Sequence, residues 1–454
     1  MANISVAELR ERVAEQFGET VAVLEDLVRI PSYEAPSAPP EAKQRSAEYV
    51  AELLSKVGAQ DVQIVQDLKP DSTPGGPGVI GRIPGASPTT VLLYAHHDVQ
   101  PVADDWSTEP FTPVQKDGRL YGRGAADDGA GVAVHYAALR ALGDALGVSV
   151  AFFIEGEEEV GSPTFGKLLS KYREQLAADV VVVADSDNWQ VDVPGLTTSL
   201  RGLAAVTVTV RVLEHAVHSG MFGGPLLSAP LLLARLIATL HDENGDVAVA
   251  GLGQLGAATT EYPEDELRAG AGAVPGLQLA GTGSIADRLW FKPAIDVIGF
   301  DATSVAESSN TIIPVAKAKL SLRIPPEMDA ATAQNLVLTH LTSQPLFGAE
   351  VTVERDEIGT GFIADTSSPA TQTCAWAQSL AFGNECKLIG QGGSIPLIDS
   401  LVEEFPGVEV LIFGVEDPDS RAHSGDESVD LGMIEKCVVA EALFLAKLGG
   451  TLQE

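Results

Sequence analysis

Residues 154–162 read I-E-G-E-E-E-V-G-S, so Glu155, Glu157, Glu158 and Glu159 crowd into five positions. The run before them, 148–154, is apolar and reads as a buried strand. Carboxylates at the exit of a buried strand are costly unless something offsets their charge. A divalent cation is the expected offset. These glutamates therefore predict a metal site, with its other ligands supplied from elsewhere in the chain.

Three further apolar runs end in the same way. Residues 91–95 lead into His96-His97-Asp98, 180–184 lead into Asp185, and 408–415 lead into a polar loop that reaches His423. Between the first two runs, 129–142 reads as a helix with Asp127 and Asp128 at its start. Strands alternating with helices predict an α/β fold, a parallel-rich sheet flanked by crossover helices. Ligands of such sheets gather beyond the carboxyl ends of the strands. Four strand ends, each with a candidate metal ligand, would then meet in one crevice.

The first 60 residues predict two amphipathic helices, over 5–30 and 41–57, followed by strands at 61–66 and 78–83. The middle of the chain has a different texture. Strands are expected at 203–213, 295–299, 315–324 and 350–354, with helices at 228–240 and 328–342. This predicts an α+β domain at 201–360, inserted into a catalytic domain made of 1–200 and 361–454. Residues 243–290, rich in Gly, Ala and acids, have no periodicity that places them. A helix at 368–382 returns to the first domain.

At 454 residues the chain is long enough for two such domains. The net charge of −34 argues against nucleic acid, which needs a basic face, and against an anionic membrane surface. No apolar run approaches the ~20 residues that span a bilayer. Cys374, Cys386 and Cys437 include no C-x-x-C pair, and three is an odd number for a disulfide framework. The N-terminus has no secretory pattern. A cytoplasmic protein is expected. G-L-G-Q-L-G at 251–256 matches a dinucleotide fingerprint by spacing, but no apolar helix face follows it.

Each candidate ligand also has an ordinary reading. His96 and Asp98 suit a ligand and its orienting partner, or a capped turn. Asp127-Asp128 suits a carboxylate bridging two metals ~3.5–4 Å apart, or an N-cap. Of Glu158-Glu159, one can ligate while the other acts as base on a bound water, or the run can be solvated. Asp185 and His423 alone read as loop residues. His215 and His218 form an H-x-x-H pair beside permissive glycines, a weak metal signal.

Taken in order, the motifs are similar to those of the co-catalytic zinc metallopeptidases. That family includes cytosolic non-specific dipeptidase, carnosinase, succinyl-diaminopimelate desuccinylase and acetylornithine deacetylase. Y-A-H-H-D-V-Q-P at 94–101, L-Y-G-R-G-A-A-D-D-G at 120–129 and E-G-E-E-E-V-G-S at 155–162 resemble its metal motifs. H-S-G-M-F-G-G at 218–224, S-L-R-I-P-P-E-M-D at 321–329, G-G-S-I-P at 392–396 and A-H-S-G-D-E at 422–427 also fit. D-V-Q-P and G-G-S-I-P look most like the dipeptidase and carnosinase branch.

The resemblance implies a two-zinc exopeptidase fold whose inserted domain serves as lid and dimerisation module. It implies two divalent ions per chain, Zn²⁺ first, with Mn²⁺ or Co²⁺ as alternatives. His96 and Asp185 would hold one ion and Glu159 and His423 the other, with Asp127 bridging and Asp98 orienting His96. Glu158 would be the general base. His218 would act across a homodimer interface on the oxyanion. Arg323, helped by Asn310, would bind the terminal carboxylate of a small peptide, and Gly392, Gly393 and Ser394 would line the substrate site. A deacylase of N-acyl amino acids is the alternative activity. Ala95 stands where the family has glycine, and Gly129 where it has lysine.

Overall fold

The computed structural model of the protein describes residues 2–102, 105–393 and 396–453. The chain divides into two compact units. The first runs to Thr198, resumes over Ala364–Ile389 and continues from Pro396. The second comprises Ser199–Ile363 and a short segment from Gly390. The Gly392-Gly393 turn thus clusters with the second unit, whereas a single division at 360 assigns it to the first.

In the first unit the strands Glu409–Phe413, Val180–Val183, Thr90–His96 and Ser149–Glu155 are successive neighbours in one sheet. All three pairings are parallel, as the four apolar runs predict. Gly78–Ile83 and Gln60–Val65 extend the sheet antiparallel beyond the Glu155 strand. Alternate residues serve opposite faces. Val91, Leu93, Ala95, Val150, Phe152, Ile154, Val180 and Val182 join a core shared with the helices Val6–Val28, Gly129–Leu142, Pro369–Phe382 and Leu431–Leu448. On the His96 and Glu155 strands, Tyr94 and Phe153 alternate with that set and pack with Phe165. Burial of each such side chain contributes about 1.5–3 kcal/mol. With both faces covered, the ligand-type side chains of these strands lie at their ends, at His96 and Asp185.

The second unit has a four-stranded antiparallel sheet, ordered Ala294–Asp301, Val315–Ile324, Gly202–Arg211, Glu350–Gly359. Its inner residues Ala204, Val206, Val208 and Val210 are buried with residues of the helices Ala229–Ala238 and Ala330–Ser343. The stretch 243–290 contains two short helices, Glu264–Gly270 and Ile285–Trp290. No helix among the described residues is long and apolar enough to cross a membrane.

The turn before the helix Gly129–Leu142 closes tightly on itself. Gly129 N–H donates to Gly124 O at 3.0 Å, and Gly124 has φ +78°. A Cβ on Gly129 would meet Gly124 O at 2.4 Å and Leu24 Cδ1 at 3.1 Å. A side chain at 129 therefore has no room unless the Asp127 turn moves. Gly129→Ala is expected to destabilise the chelator-treated protein by about 1–3 kcal/mol, read from urea unfolding; an unchanged midpoint would contradict this packing.

Candidate metal centre

His96 is the last residue of its strand. Its Nδ1 lies 3.0 Å from the backbone carbonyl of Asp98. A carbonyl only accepts, so Nδ1 carries the proton and, in the neutral ring, Nε2 presents a lone pair. That Nε2 lies 2.9 Å from Asp127 Oδ1 and 3.8 Å from Asp185 Oδ2. It is buried without a hydrogen-bond partner. Facing two carboxylates, this nitrogen calls for a cation beside it, a proton or a metal ion: burial opposes protonation, but Asp127, Asp98 and Asp185 lift His96 well above its ordinary value.

A second group shares Asp127. His423 Nε2 lies 2.9 Å from Asp127 Oδ2 and 3.2 Å from Glu159 Oε2, and Glu159 Oε1 is buried and unpartnered. In His96–Asp127–Asp185 and in Asp127–Glu159–His423 the ligand atoms all lie within 4.8 Å of one another. Imidazole and carboxylate donors of this kind suit zinc and its first-row neighbours. The orphaned nitrogen and oxygen are what such ions would satisfy, so the residues present fit a metal pair.

The two readings of the acid pair separate. Asp128 is the cap: its carboxylate accepts from Gly131 N–H at 3.1 Å and from His96 N–H at 3.1 Å. Asp127 is left facing both histidines. Asp98 faces the His96 ring with two groups. Its backbone carbonyl, at 3.0 Å, engages the His96 ring, while its carboxylate stands 3.6 Å from Nδ1. That carboxylate accepts the N–H groups of Glu158 and Glu159 at 3.1 and 3.2 Å, which fixes the glutamate turn against the His96 strand. Gln100 donates to Glu159 Oε2 at 2.7 Å.

Glu155 and Glu157, the other two acids of the run, are not solvated. Both are buried. Glu157 accepts from Gly76 N–H and Thr164 N–H, each at 2.7 Å, and from the Thr164 hydroxyl. Glu155 accepts from the Tyr94 hydroxyl at 2.7 Å.

Sequence reasoning missed Arg123 and Glu427, although both lie inside the quoted motifs. Glu427 accepts from Gly124, Ala126 and Asp127 N–H groups at 3.2, 2.9 and 3.2 Å, and from Arg123 Nη1 at 2.7 Å. Arg123 also donates to Ser424 O at 3.3 Å. This buried pair ties the Asp127 turn to the His423 loop, where Arg421, His423 and Asp426 adopt left-handed φ.

Burial raises several carboxylates near the centre. Burial, with Asp127, Glu158 and Glu159 adding to it and His96 opposing, pushes Asp185 up to about 8. Burial also raises Glu158, opposed by His96 and reinforced by Glu159, Asp127 and Asp98. Glu155 rises to about 8 and Glu427 to about 7, both chiefly by burial. Asp127 is the exception: burial would raise it, but the imidazoles of His423 and His96 hold it below the ordinary range. His423 is lifted to about 10 by Asp127 and Glu159.

The second unit holds the other expected residues. His218 Nδ1 accepts from Gly220 N–H at 3.0 Å, which puts the neutral ring's proton on Nε2, and the residue is exposed. His218 pairs with Thr311 across a two-stranded ladder, and Ser219 N–H donates to Asn310 O at 2.9 Å, so His218 and Asn310 are neighbours. Arg323 lies opposite Leu203 and Ala294 in the four-stranded sheet. Arg201 was not anticipated. Burial and the charge of Arg323 lower it to about 10, and its Nη2 is 3.1 Å from where a Cβ on Gly392 would sit. Gly393 is exposed beside it; Ser394 lies outside the described residues.

The raised groups set a pH signature. Asp185 and Glu155 bind protons up to about 8 when folded but only to their ordinary values of 3.8 and 4.5 when unfolded. The folded state thus holds more protons between, and stability falls as pH rises through that window. The raised His423 adds the same sign from 6.5 towards about 10. A bound cation favours the charged carboxylates and displaces those protons. The melting-temperature gap between Zn²⁺-loaded and chelator-treated protein is expected to widen from pH 5 to pH 8. A gap independent of pH would contradict these assignments.

Known proteins match this chain along most of its length. It is 34% identical over 461 residues to the cysteinylglycine-S-conjugate dipeptidase of Corynebacterium striatum, covering 98% of each. It is 29% identical to the Cys-Gly metallodipeptidase DUG1 of Saccharomyces cerevisiae, covering 85% of this chain and 86% of that one. The crystal structure of human carnosine dipeptidase 1 superposes with a TM-score of 0.75 at 25% identity, covering 99% of this chain and 100% of that one. The sequence profile of peptidase family M20/M25/M40 matches residues 92–447, the span from the His96 strand to the last long helix, and the chain belongs to that family.

Proposed function

We propose that the protein is a homodimeric two-metal dipeptidase. The enzyme is a metal-dependent hydrolase of the peptide bond of small peptides, and its relatives named above are dipeptidases. The observation that carries the two-metal reading is the sharing of Asp127 between two ligand groups, one oxygen towards His96 and the other towards His423. His96 and Asp185 would hold one ion and Glu159 and His423 the other, with Zn²⁺ the first choice and Mn²⁺ or Co²⁺ the alternatives. When bound, such ions polarise a carbonyl and lower the pKa of water held between them.

The chain's own groups supply the rest. Glu158, whose affinity for a proton is raised, takes one from the attacking water and returns it to the leaving amine. His218 of the second subunit donates from Nε2 to the developing oxyanion, a role supported by its fixed tautomer and exposure. Arg323 binds the terminal carboxylate, with Asn310 beside the His218 strand assisting. The closeness of Arg201 to Arg323 and Gly392 supports an anion-binding corner beside Gly392 and Gly393. The second unit serves as lid and dimerisation module. We place the enzyme in the cytoplasm, whose reducing conditions suit the buried free thiols of Cys374, Cys386 and Cys437.

Glu158→Ala tests the base. Turnover of Ala-Ala or a similar dipeptide should fall by about 10²–10⁴-fold or more while two ions per chain remain bound by elemental analysis; retained turnover would remove Glu158 from this role. Assay of the same preparation against acetylornithine separates the dipeptidase from an N-acyl-amino-acid deacylase. The dipeptide is expected to be strongly preferred, and the reverse preference would overturn the substrate assignment.

A further inference from the structure

His135 and Glu441 form a polar pair inside the apolar core of the first unit, and nothing above gives them a task. His135 lies on the helix Gly129–Leu142 and Glu441 on the helix Leu431–Leu448, and each is 1% exposed. His135 Nδ1 is 2.8 Å from Glu441 Oε2, and its Nε2 is 3.0 Å from the backbone carbonyl of Tyr94. The carbonyl can only accept, so Nε2 carries a proton and points it at Tyr94 O. Between Nδ1 and the carboxyl lies one further proton, so the histidine cannot turn its acceptor nitrogen towards the carbonyl without breaking both bonds.

The carbonyl it reaches is a junction. Tyr94 stands two residues before His96 on the same strand. The same oxygen accepts Ala184 N–H at 3.2 Å, and Ala184 precedes Asp185. The helix bearing His135 begins immediately after Asp127-Asp128. One oxygen therefore joins the three segments that carry His96, Asp127 and Asp185, all members of one ligand group. Glu159 and His423 of the other group sit on loops outside this junction. In a core built from Val, Ala and Leu, an apolar pair of equal volume would serve packing at least as well, so the polar pair calls for another reason.

We propose that His135, oriented by Glu441, is a positioning residue for the His96–Asp127–Asp185 group, acting through the Tyr94 carbonyl. The inference rests on the reading that the centre holds two ions. Losing the junction loosens His96 and Asp185, which belong to one group alone, whereas the shared Asp127 keeps its separate clasp on Glu427, so the other group stays in place, a selectivity that mere core stability does not give. Outer partners of metal ligands typically tune affinity by about 10–100-fold.

The test compares two full-length double variants. His135→Phe with Glu441→Leu removes both polar groups and leaves no buried charge unpaired. His135→Gln with Glu441→Gln keeps an amide N–H within reach of Tyr94 O but removes the charge. Zn²⁺ titrated against a chromophoric chelator yields two stepwise constants, assigned to the groups with Asp185→Asn and His423→Asn. The Phe/Leu variant should weaken the constant of the His96–Asp127–Asp185 group by about tenfold or more and leave the other essentially unchanged, and the Gln/Gln variant should restore it. Unchanged constants, or equal loss from both groups, would overturn the proposal. Should Phe/Leu not fold, His135→Asn with Glu441→Gln, whose amide falls short of the carbonyl, takes its place with the same expected loss. Wild-type protein that binds fewer than two ions would instead sink the two-ion reading, and this inference with it.

Discussion

Repulsion among buried carboxylates is the constraint on which the catalytic unit turns. Asp127, Asp185, Glu158 and Glu159 meet where two imidazoles also converge, and Asp187, Glu416 and Glu427 press in from behind. No apolar core tolerates such a collection unpaired. The pattern of shifts expresses the same conflict: most of the acids rise to keep a proton, and Asp127 alone falls because two histidines face it. On the proposed two-ion reading, a pair of divalent ions would resolve the conflict at the shared residue. Much of the local architecture can be understood as the means of holding these groups together against that repulsion.

Those means are mostly backbone. Asp98 grips the N–H groups of Glu158 and Glu159, Asp128 grips the N–H of His96, and Glu427 grips the N–H of Asp127. Each acid places a carboxyl oxygen on a donor that belongs to a ligand-bearing turn, so the ligands are fixed at the main chain while their side chains stay free to face a cation. The parallel sheet beneath provides the stiffness, because strands packed on both faces have no room to shift.

The legible part of this arrangement is the part written in local pattern. Four apolar runs, each ending in a ligand type, were enough to expect four parallel strands with a shared crevice, and the sheet has them as neighbours. The helix at 129–142 follows from its period and its Asp128 cap. What stayed illegible depends on contacts distant in sequence. Nothing local says that Glu427 will embrace the turn at 124–127, or that Glu441 will meet His135. A charge run is usually solvated, and only distant donors make burial tolerable here, Gly76 and Thr164 for Glu157 and the Tyr94 hydroxyl for Glu155. Residues 243–290 resisted placement because polar clasps secure part of them: Asp246 accepts from Thr282 N–H and Lys292 at 3.0 and 2.9 Å.

The central claim is that Asp127 is shared by two ions. Anomalous diffraction at the zinc edge, from crystals of the loaded protein, addresses it directly. The account predicts two peaks ~3.5–4 Å apart, one beside His96 and Asp185 and the other beside Glu159 and His423, each in contact with one oxygen of Asp127. A single peak, or two peaks of which either lacks contact with Asp127, would contradict it.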